Sequence, residues 1–271
     1  MRRNSSFVEV RPRGSAQPAI MHGMIEYIEG KRPVVEALRS HVPMQCVLMA
    51  DNVQHDGLIK DIERKAKALD IPVRTVRRAD LDAKSERGSH QGVMAQAKPF
   101  AYCSVQDILD IATRQAEERD GRALIVILDH ITDAGNLGAI ARSAEVVGAA
   151  GIVIPNKRSA HVTAATYKSS AGAISNIAVA QVANLIQVID RLKQDGFWVA
   201  GASEHASQGI WQSNLKGSIA LVMGNEGEGL ARLTCESCDF LMALPQVGET
   251  ASLNVAQSAT ACMYEWLRQN L

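Results

Sequence analysis

The 271-residue chain reads as an α/β protein, with a C-terminal parallel-sheet α/β domain preceded by a smaller α/β unit. Three observations carry this reading. After Asp120, short and nearly continuous apolar runs recur: "ALIVILD", "GIVIP", "FWVAGAS", "IALVMG" and "FLMALP". Helical stretches separate them, as expected of strands buried on both faces of a parallel sheet. Between Met24 and Lys98, shorter strand-like and amphipathic segments alternate.

The first twenty residues, "MRRNSSFVEVRPRGSAQPAI", have no hydrophobic periodicity and read as a basic flexible tail. Residues 21–98 form the N-terminal domain. Within it, "YIEGKRPVVEALRS" has helical spacing through Val34, Val35 and Leu38, and "CVLMA" reads as a strand. "LIKDIERKAKALD" is an amphipathic helix, "PVRTV" a second strand, and "HQGVMAQA" closes the unit. Residues 99–119 link the two domains through a helix. Ser104 is its N-cap, with Asp107 at the third position to complete a capping box. Residues 120–271 are the larger domain, of ordinary domain size.

Composition narrows the class. Apolar residues are 46% and charged residues 21%, values of a water-soluble globular chain. No apolar run approaches the ~18 residues of a membrane-spanning helix, and the early arginines precede no apolar signal core. The five cysteines (Cys46, Cys103, Cys235, Cys238 and Cys262) are odd in number and scattered, which fits a reducing cytoplasm. Cys235 and Cys238 have no partners at ligand spacing and read as two ordinary thiols on a helix, so no metal is expected. The formal net charge is zero, but residues 1–98 hold 17 Lys and Arg against 12 Asp and Glu. A basic front half points weakly to a polyanionic partner; the alternative is a solvated basic surface.

Parallel α/β sheets bind ligands beyond the carboxyl ends of their strands, and three such loops are rich in small and polar residues. In "LDHITDAGNLGAIARSAEVVGA" the strand ends at Asp129 and a helix begins around Leu137, with Asn136 placed as its N-cap. Arg142, alone, would be a surface arginine. "LVMGNEGEGL" places Gly224, Gly227 and Gly229 directly after a strand. The glycine order is G-x-x-G-x-G, the wrong order for a dinucleotide fingerprint, and it lies far from the first strand. No P-loop pattern occurs, and Glu226 and Glu228 would repel a pyrophosphate. The loop therefore suits a neutral or cationic ligand. In "LPQVGETASLNVAQSATACMYEWL" a strand ends at Leu244–Pro245, and Ser252 is the N-cap candidate for an Ala-rich helix.

Taken together, "N-x-G-A-I-x-R", "G-N-E-G-x-G" and "L-P…S-L-N-V" resemble the three signature motifs of the SpoU (TrmH) family of RNA ribose 2′-O-methyltransferases, within the SPOUT superfamily. "IEGKRPVVEAL" and "HQGVMAQA" are similar to that family's substrate-binding domain. "PNKRSAHVTAATYKSSAGA" is similar to the subgroup acting on a guanosine of 23S rRNA. One departure stands out: the family's Asp-Pro before the first-motif Asn is replaced by Ala134 and Gly135, which makes that turn less rigid before folding.

The resemblance implies a C-terminal domain threaded into a trefoil knot between about Gly224 and Asn254, a rare exception to unknotted topology. It implies S-adenosylmethionine (SAM) as cofactor, RNA as substrate and a homodimer formed through the knotted domain. It implies Gly224, Asn225, Gly227, Leu244, Leu253 and Ser203 around the cofactor. Arg142 is implied as the central catalytic residue, assisted by Asn136, Glu226, Ser252 and Asn254. A guanidinium is effectively never neutral in proteins, so holding a phosphate and stabilising a developing alkoxide suits Arg142 better than acting as a base. Alternatives are a tRNA guanosine or rRNA adenosine substrate, or an RNA-binding assembly protein without methyl transfer. A nucleotide oxidoreductase is disfavoured by the glycine order.

Overall fold

A computed structural model describes residues 26–86, 88–249 and 252–271; the basic tail and the first residues of the N-terminal domain lie outside them. The N-terminal domain opens with β1 (Tyr27–Glu29) and α1 (Lys31–Arg39). The helical spacing through Val34, Val35 and Leu38 holds, but the preceding Tyr27–Glu29 is extended. Gly30, at φ +99°, turns the chain between the two. β2 (Met44–Ala50), α2 (Gly57–Ala68), β3 (Val73–Val76), α3 (Arg78–Asp82) and β4 (Val93–Ala97) follow. They form a four-stranded sheet of order β1-β4-β2-β3, antiparallel except for the β2–β3 pair.

The linking segment carries α4 (Val105–Glu118), with the expected capping box: Asp107 N–H donates to Ser104 Oγ, and Ser104 N–H to Asp107 Oδ2. This helix also covers one face of the larger sheet, burying Ile108, Leu109 and Ala112.

The larger domain runs β5 (Leu124–Leu128), α5 (Ala134–Val146), β6 (Gly151–Pro155), α6 (Ala164–Ser169), β7 (Ala178–Val182) and α7 (Leu185–Gln194). It continues with β8 (Trp198–Ala202), β9 (Ile219–Met223), α8 (Arg232–Ser237), β10 (Phe240–Met242) and α9 (Val255–Gln269). All six strands are parallel, in the order β10-β8-β9-β5-β6-β7. β5, β6 and β9 are buried at every position, as their continuous apolar sequences require. β7, "AVAQV", was not among the expected apolar runs: it is an edge strand, and Gln181 interrupts its pattern.

The domains meet along an aromatic seam. Phe100 lies edge-on to Tyr102, with ring centroids 5.0 Å apart, and to Tyr167 at 6.5 Å. The Tyr102 hydroxyl accepts from Val162 N–H at 2.9 Å, and Glu26 Oε1 accepts from Ala164 N–H at 3.3 Å. The first bond ties the linking segment, and the second the first domain, to the end of the "RSAHVTA" stretch that leads into α6.

Candidate active site

The central strands β5 and β9 are neighbours, with Leu128 beside Met223. From β5 the chain proceeds outward through β6 and β7; from β9 it proceeds to β10 on the opposite side. The crevice beyond Leu128 and Met223 is therefore the topological switch point where such sheets bind ligands. All three small-residue loops converge there.

The loop after β5 begins at Asp129, which is 1% exposed despite its carboxylate. Asp129 N–H donates to Met223 O at 2.8 Å and extends the sheet. Its Oδ2 accepts from Ala231 N–H at 2.8 Å, and its Oδ1 pairs with His130 Nδ1. α5 then starts three residues earlier than the sequence suggested. Asp133, not Asn136, is its N-cap, with Oδ1 accepting from Asn136 N–H at 2.7 Å. An Asp in extended conformation three residues ahead satisfies that amide, so the Asn136 side chain is not spent on capping.

Asn136 instead reaches across the crevice. Its Nδ2 donates to Glu226 Oε1. Asn254 Nδ2 donates to Asn136 Oδ1 at 3.0 Å and to Glu226 Oε1 at 2.9 Å. Asn254 is also the N-cap of α9, its Oδ1 accepting from Ala256 N–H at 2.9 Å. This corrects the expectation that Ser252 caps the helix. Asn254 lies next to the first helical residue and can aim its carbonyl at the open amides, whereas Ser252 lies two residues further out. With its carbonyl fixed by the cap, the NH₂ group of Asn254 must face Asn136 and Glu226. One residue from each motif thus meets in a single hydrogen-bonded triangle.

The glycine loop closes on itself. Asn225 and Gly229 exchange both backbone hydrogen bonds at 2.9 Å. Gly227 N–H donates to Asn225 Oδ1 at 2.8 Å, and Asn225 Nδ2 donates to His130 O at 2.8 Å. Gly224 is buried, and a Cβ there would lie 2.2 Å from the Gly229 carbonyl carbon and 2.4 Å from Leu230 N. Its missing side chain is therefore required by the loop's own backbone, before any ligand is considered.

Arg142 is exposed on α5, six residues beyond Asn136, and makes no hydrogen bond or ion pair among the described residues. The helix beneath it is firmly seated. Ser143 Oγ and Thr260 Oγ1 bond at 2.7 Å to join α5 to α9. Gly138 lets α5 cross α6 so closely that a Cβ would meet Ser169 Oγ at 2.0 Å. Ser203, at the end of β8, donates its N–H to Met242 O at 2.9 Å and does not touch the triangle. Ser252 and Leu253 are exposed, and Leu244 is half-buried against the core. The structure thus joins Asn136, Asn225, Glu226, Gly227 and Asn254, while Arg142, Ser203 and Ser252 remain apart from them. Sequence reasoning missed Asp129, His130 and Asp133. A carboxylate ending a five-residue apolar strand was the available signal for Asp129.

The chemistry of these loops suits a nucleoside carrying positive charge. Residues 224–229 and 244–254 contain Glu226, Glu228 and Glu249 and neither Lys nor Arg. Leu244 and Leu253 supply apolar surface beside them. Cys235 and Cys238 play no visible part: burial pushes both thiols up, Cys238 to about 12.

Residues 123–264, more than half of the chain, match the SpoU rRNA methylase family. The chain belongs to the SpoU methylase family. Residues 27–103 match the RNA 2′-O ribose methyltransferase substrate-binding domain, which accounts for the N-terminal unit. The Bacillus subtilis (strain 168) protein YacO, named as a TrmH family tRNA/rRNA methyltransferase, is 38% identical over 90% of this chain and 96% of its own length. A Staphylococcus aureus (strain MSSA476) protein with the same family name is 36% identical over 89% and 95%. Among solved structures, the SpoU methyltransferase AviRb from Streptomyces viridochromogenes, in complex with AdoMet, superimposes with a TM-score of 0.63 at 24% identity, covering 90% of each chain. A crystal structure described as an RNA 2′-O ribose methyltransferase gives 0.58 at 25% identity, covering 90% of this chain and 88% of its own. As a SpoU methylase with the SPOUT fold, the chain is a SAM-dependent RNA 2′-O-methyltransferase.

Proposed function

We propose that this enzyme methylates the ribose 2′-hydroxyl of a guanosine in large-subunit (23S) rRNA, working in the cytoplasm as a homodimer through its knotted domain. The observation that carries the reading is the Asn136–Glu226–Asn254 triangle, because it draws all three motifs to the switch point of the sheet. The rRNA assignment is supported by the description of the family and by the seam that seats the N-terminal domain on the "RSAHVTA" stretch. Residues 1–98, with 17 Lys and Arg against 12 Asp and Glu, supply charge complementary to RNA.

When bound, SAM supplies a methyl carbon made electrophilic by its sulfonium. With SAM held there, this chain's residues would align the ribose 2′-hydroxyl with that methyl carbon and stabilise the oxygen as its proton passes to solvent. Arg142, exposed and without a partner among the described residues, binds a phosphate beside the target and stabilises charge developing on the 2′-oxygen. Gly224, Asn225, Gly227, Leu244, Leu253 and Ser203 frame the adenosine and methionine portions. Glu226 offers its carboxylate to the cationic end, and Asn136 and Asn254 hold that carboxylate in place. Ser252 positions the approach to α9. Alignment of the two reactants contributes several kcal/mol, with a ceiling of ~7–11 kcal/mol.

Mapping 2′-O-methylation across rRNA and tRNA from cells lacking the protein tests the substrate. Loss of one guanosine mark in 23S rRNA supports the reading. Loss of a mark in tRNA, or at an rRNA adenosine, replaces it with one of those substrates.

A further inference from the structure

The two ends of the glycine loop are fastened to adjacent residues at the start of the loop after β5. At the loop's beginning, Asn225 Nδ2 donates to the backbone oxygen of His130 at 2.8 Å. At its end, Ala231 N–H donates to Asp129 Oδ2 at 2.8 Å. The other Asp129 oxygen pairs with His130 Nδ1, so one carboxylate fixes both the loop's exit and the residue that holds its entrance. His130 sits in left-handed backbone conformation, at φ +59°, with its ring 42% exposed at the rim. Asp129 itself is buried beneath the loop, between the ends of β5 and β9.

We infer that Asp129 is a positioning residue, a clamp that holds loop 224–231 in its cofactor-receptive shape through His130 and Ala231. This rests on that loop being the cofactor loop. Three features separate a clamp from ordinary packing. Asp129 uses both oxygens on partners belonging to or gripping one loop. It is a charged side chain at the end of a wholly apolar strand, where apolar packing would have been served by Leu or Val. The loop it holds carries Glu226, so displacement of the loop displaces the triangle as well. Buried beneath the loop, Asp129 acts through it.

The test compares wild type with Asp129→Asn and Asp129→Ala by calorimetric titration of SAM, by methyl-transfer kinetics with saturating RNA, and by amide hydrogen exchange of the cofactor-free proteins. Asn can still accept from Ala231 N–H and can donate to a neutral His130 ring. Asp129→Asn should therefore retain most of the affinity, while Asp129→Ala weakens cofactor binding about tenfold or more. The change should appear in the KM for SAM, with kcat largely kept at saturation. In the cofactor-free protein, amides of 225–231 should exchange faster in Asp129→Ala, while the strand amides of β5 and β9 remain protected. If Asp129→Ala does not fold, Asn225→Ala releases the other end of the loop from the surface and should give the same exchange signature. Unchanged loop exchange in every folded variant, or a loss of kcat with unchanged cofactor affinity, overturns the clamp. Failure of wild type to bind SAM would instead overturn the cofactor reading, and the exchange measurement would still report on the clamp.

Discussion

Asn254 and Glu226, 28 residues apart in sequence, are joined by a 2.9 Å hydrogen bond, while the same Asn254 side chain caps the last helix. One amide thereby couples the stability of α9 to the geometry of the glycine loop. Replacing Asn254 separates the two roles. Asn254→Ala removes the cap, at a cost of about 1 kcal/mol, and should lower Tm by ~2–4 °C in a chain of this size. Asn254→Asp keeps the cap acceptor but sets a carboxylate against Glu226. It should lose less thermal stability than Asn254→Ala yet reduce methyl transfer by about tenfold or more. Calorimetric melting beside a methyl-transfer assay reads both effects.

Arg142 is predicted to show the opposite pattern. Its side chain makes no bond among the described residues, so Arg142→Ala should change stability by no more than about 0.5 kcal/mol. Methyl transfer should fall by about 10²–10³-fold, the usual effect of removing a group that stabilises transition-state charge. SAM affinity, measured by calorimetry, should be retained. Wild-type methylation by this variant would remove Arg142 from the mechanism.

The glycines of the loop should differ sharply in their tolerance of alanine. A Cβ at Gly224 would overlap the Gly229–Leu230 backbone, so Gly224→Ala must displace the loop, at a cost of about 1–3 kcal/mol. A Cβ at Gly227 meets nothing nearer than Asn225 Oδ1 at 3.6 Å, so Gly227→Ala should fold as stably as wild type. Comparing the two melting temperatures checks the loop geometry without any ligand.

Glu26 gives a pH-dependent test of the seam between domains. Burial raises its carboxyl above the usual carboxylate range, against the smaller opposing effect of the Ala164 N–H bond. A carboxyl raised in the folded state penalises folding once ionised. The penalty is full above its folded pKa and vanishes below the unfolded one. Glu26→Gln keeps an acceptor for Ala164 and loses the charge. Its Tm should equal or exceed that of wild type at pH 8, and the difference should shrink as pH falls through the carboxylate range.

The sheet and the site differ in how far their sequences reveal them. β5, β6 and β9 are legible because strands buried on both faces need unbroken apolar runs, and "LIVIL", "GIVIP" and "IALVM" supply them. β1 is hidden because three residues, Tyr27–Glu29, are too few to show a period beside the helix that follows. Helix starts are harder still. Asp133 and Asn136, like Ser252 and Asn254, are all competent caps. The crevice engages Asn136 and leaves the first cap to Asp133, whereas Asn254 both caps α9 and enters the crevice, so capping preference alone decides neither. The triangle joins positions 90 and 118 residues apart, so no local pattern contains it. It became an expectation only through the resemblance of the three motifs to a family, and only as separate residues.

The most direct test of the whole account is methyl transfer itself. Purified protein is incubated with methyl-labelled SAM and protein-free 23S rRNA or assembling large subunits from cells lacking it, and the product is mapped at nucleotide resolution. The expected label lies on the ribose 2′-oxygen of a single guanosine of 23S rRNA and is abolished in Arg142→Ala. Folded, SAM-binding protein that places no label on any ribose 2′-oxygen of rRNA or tRNA would contradict it.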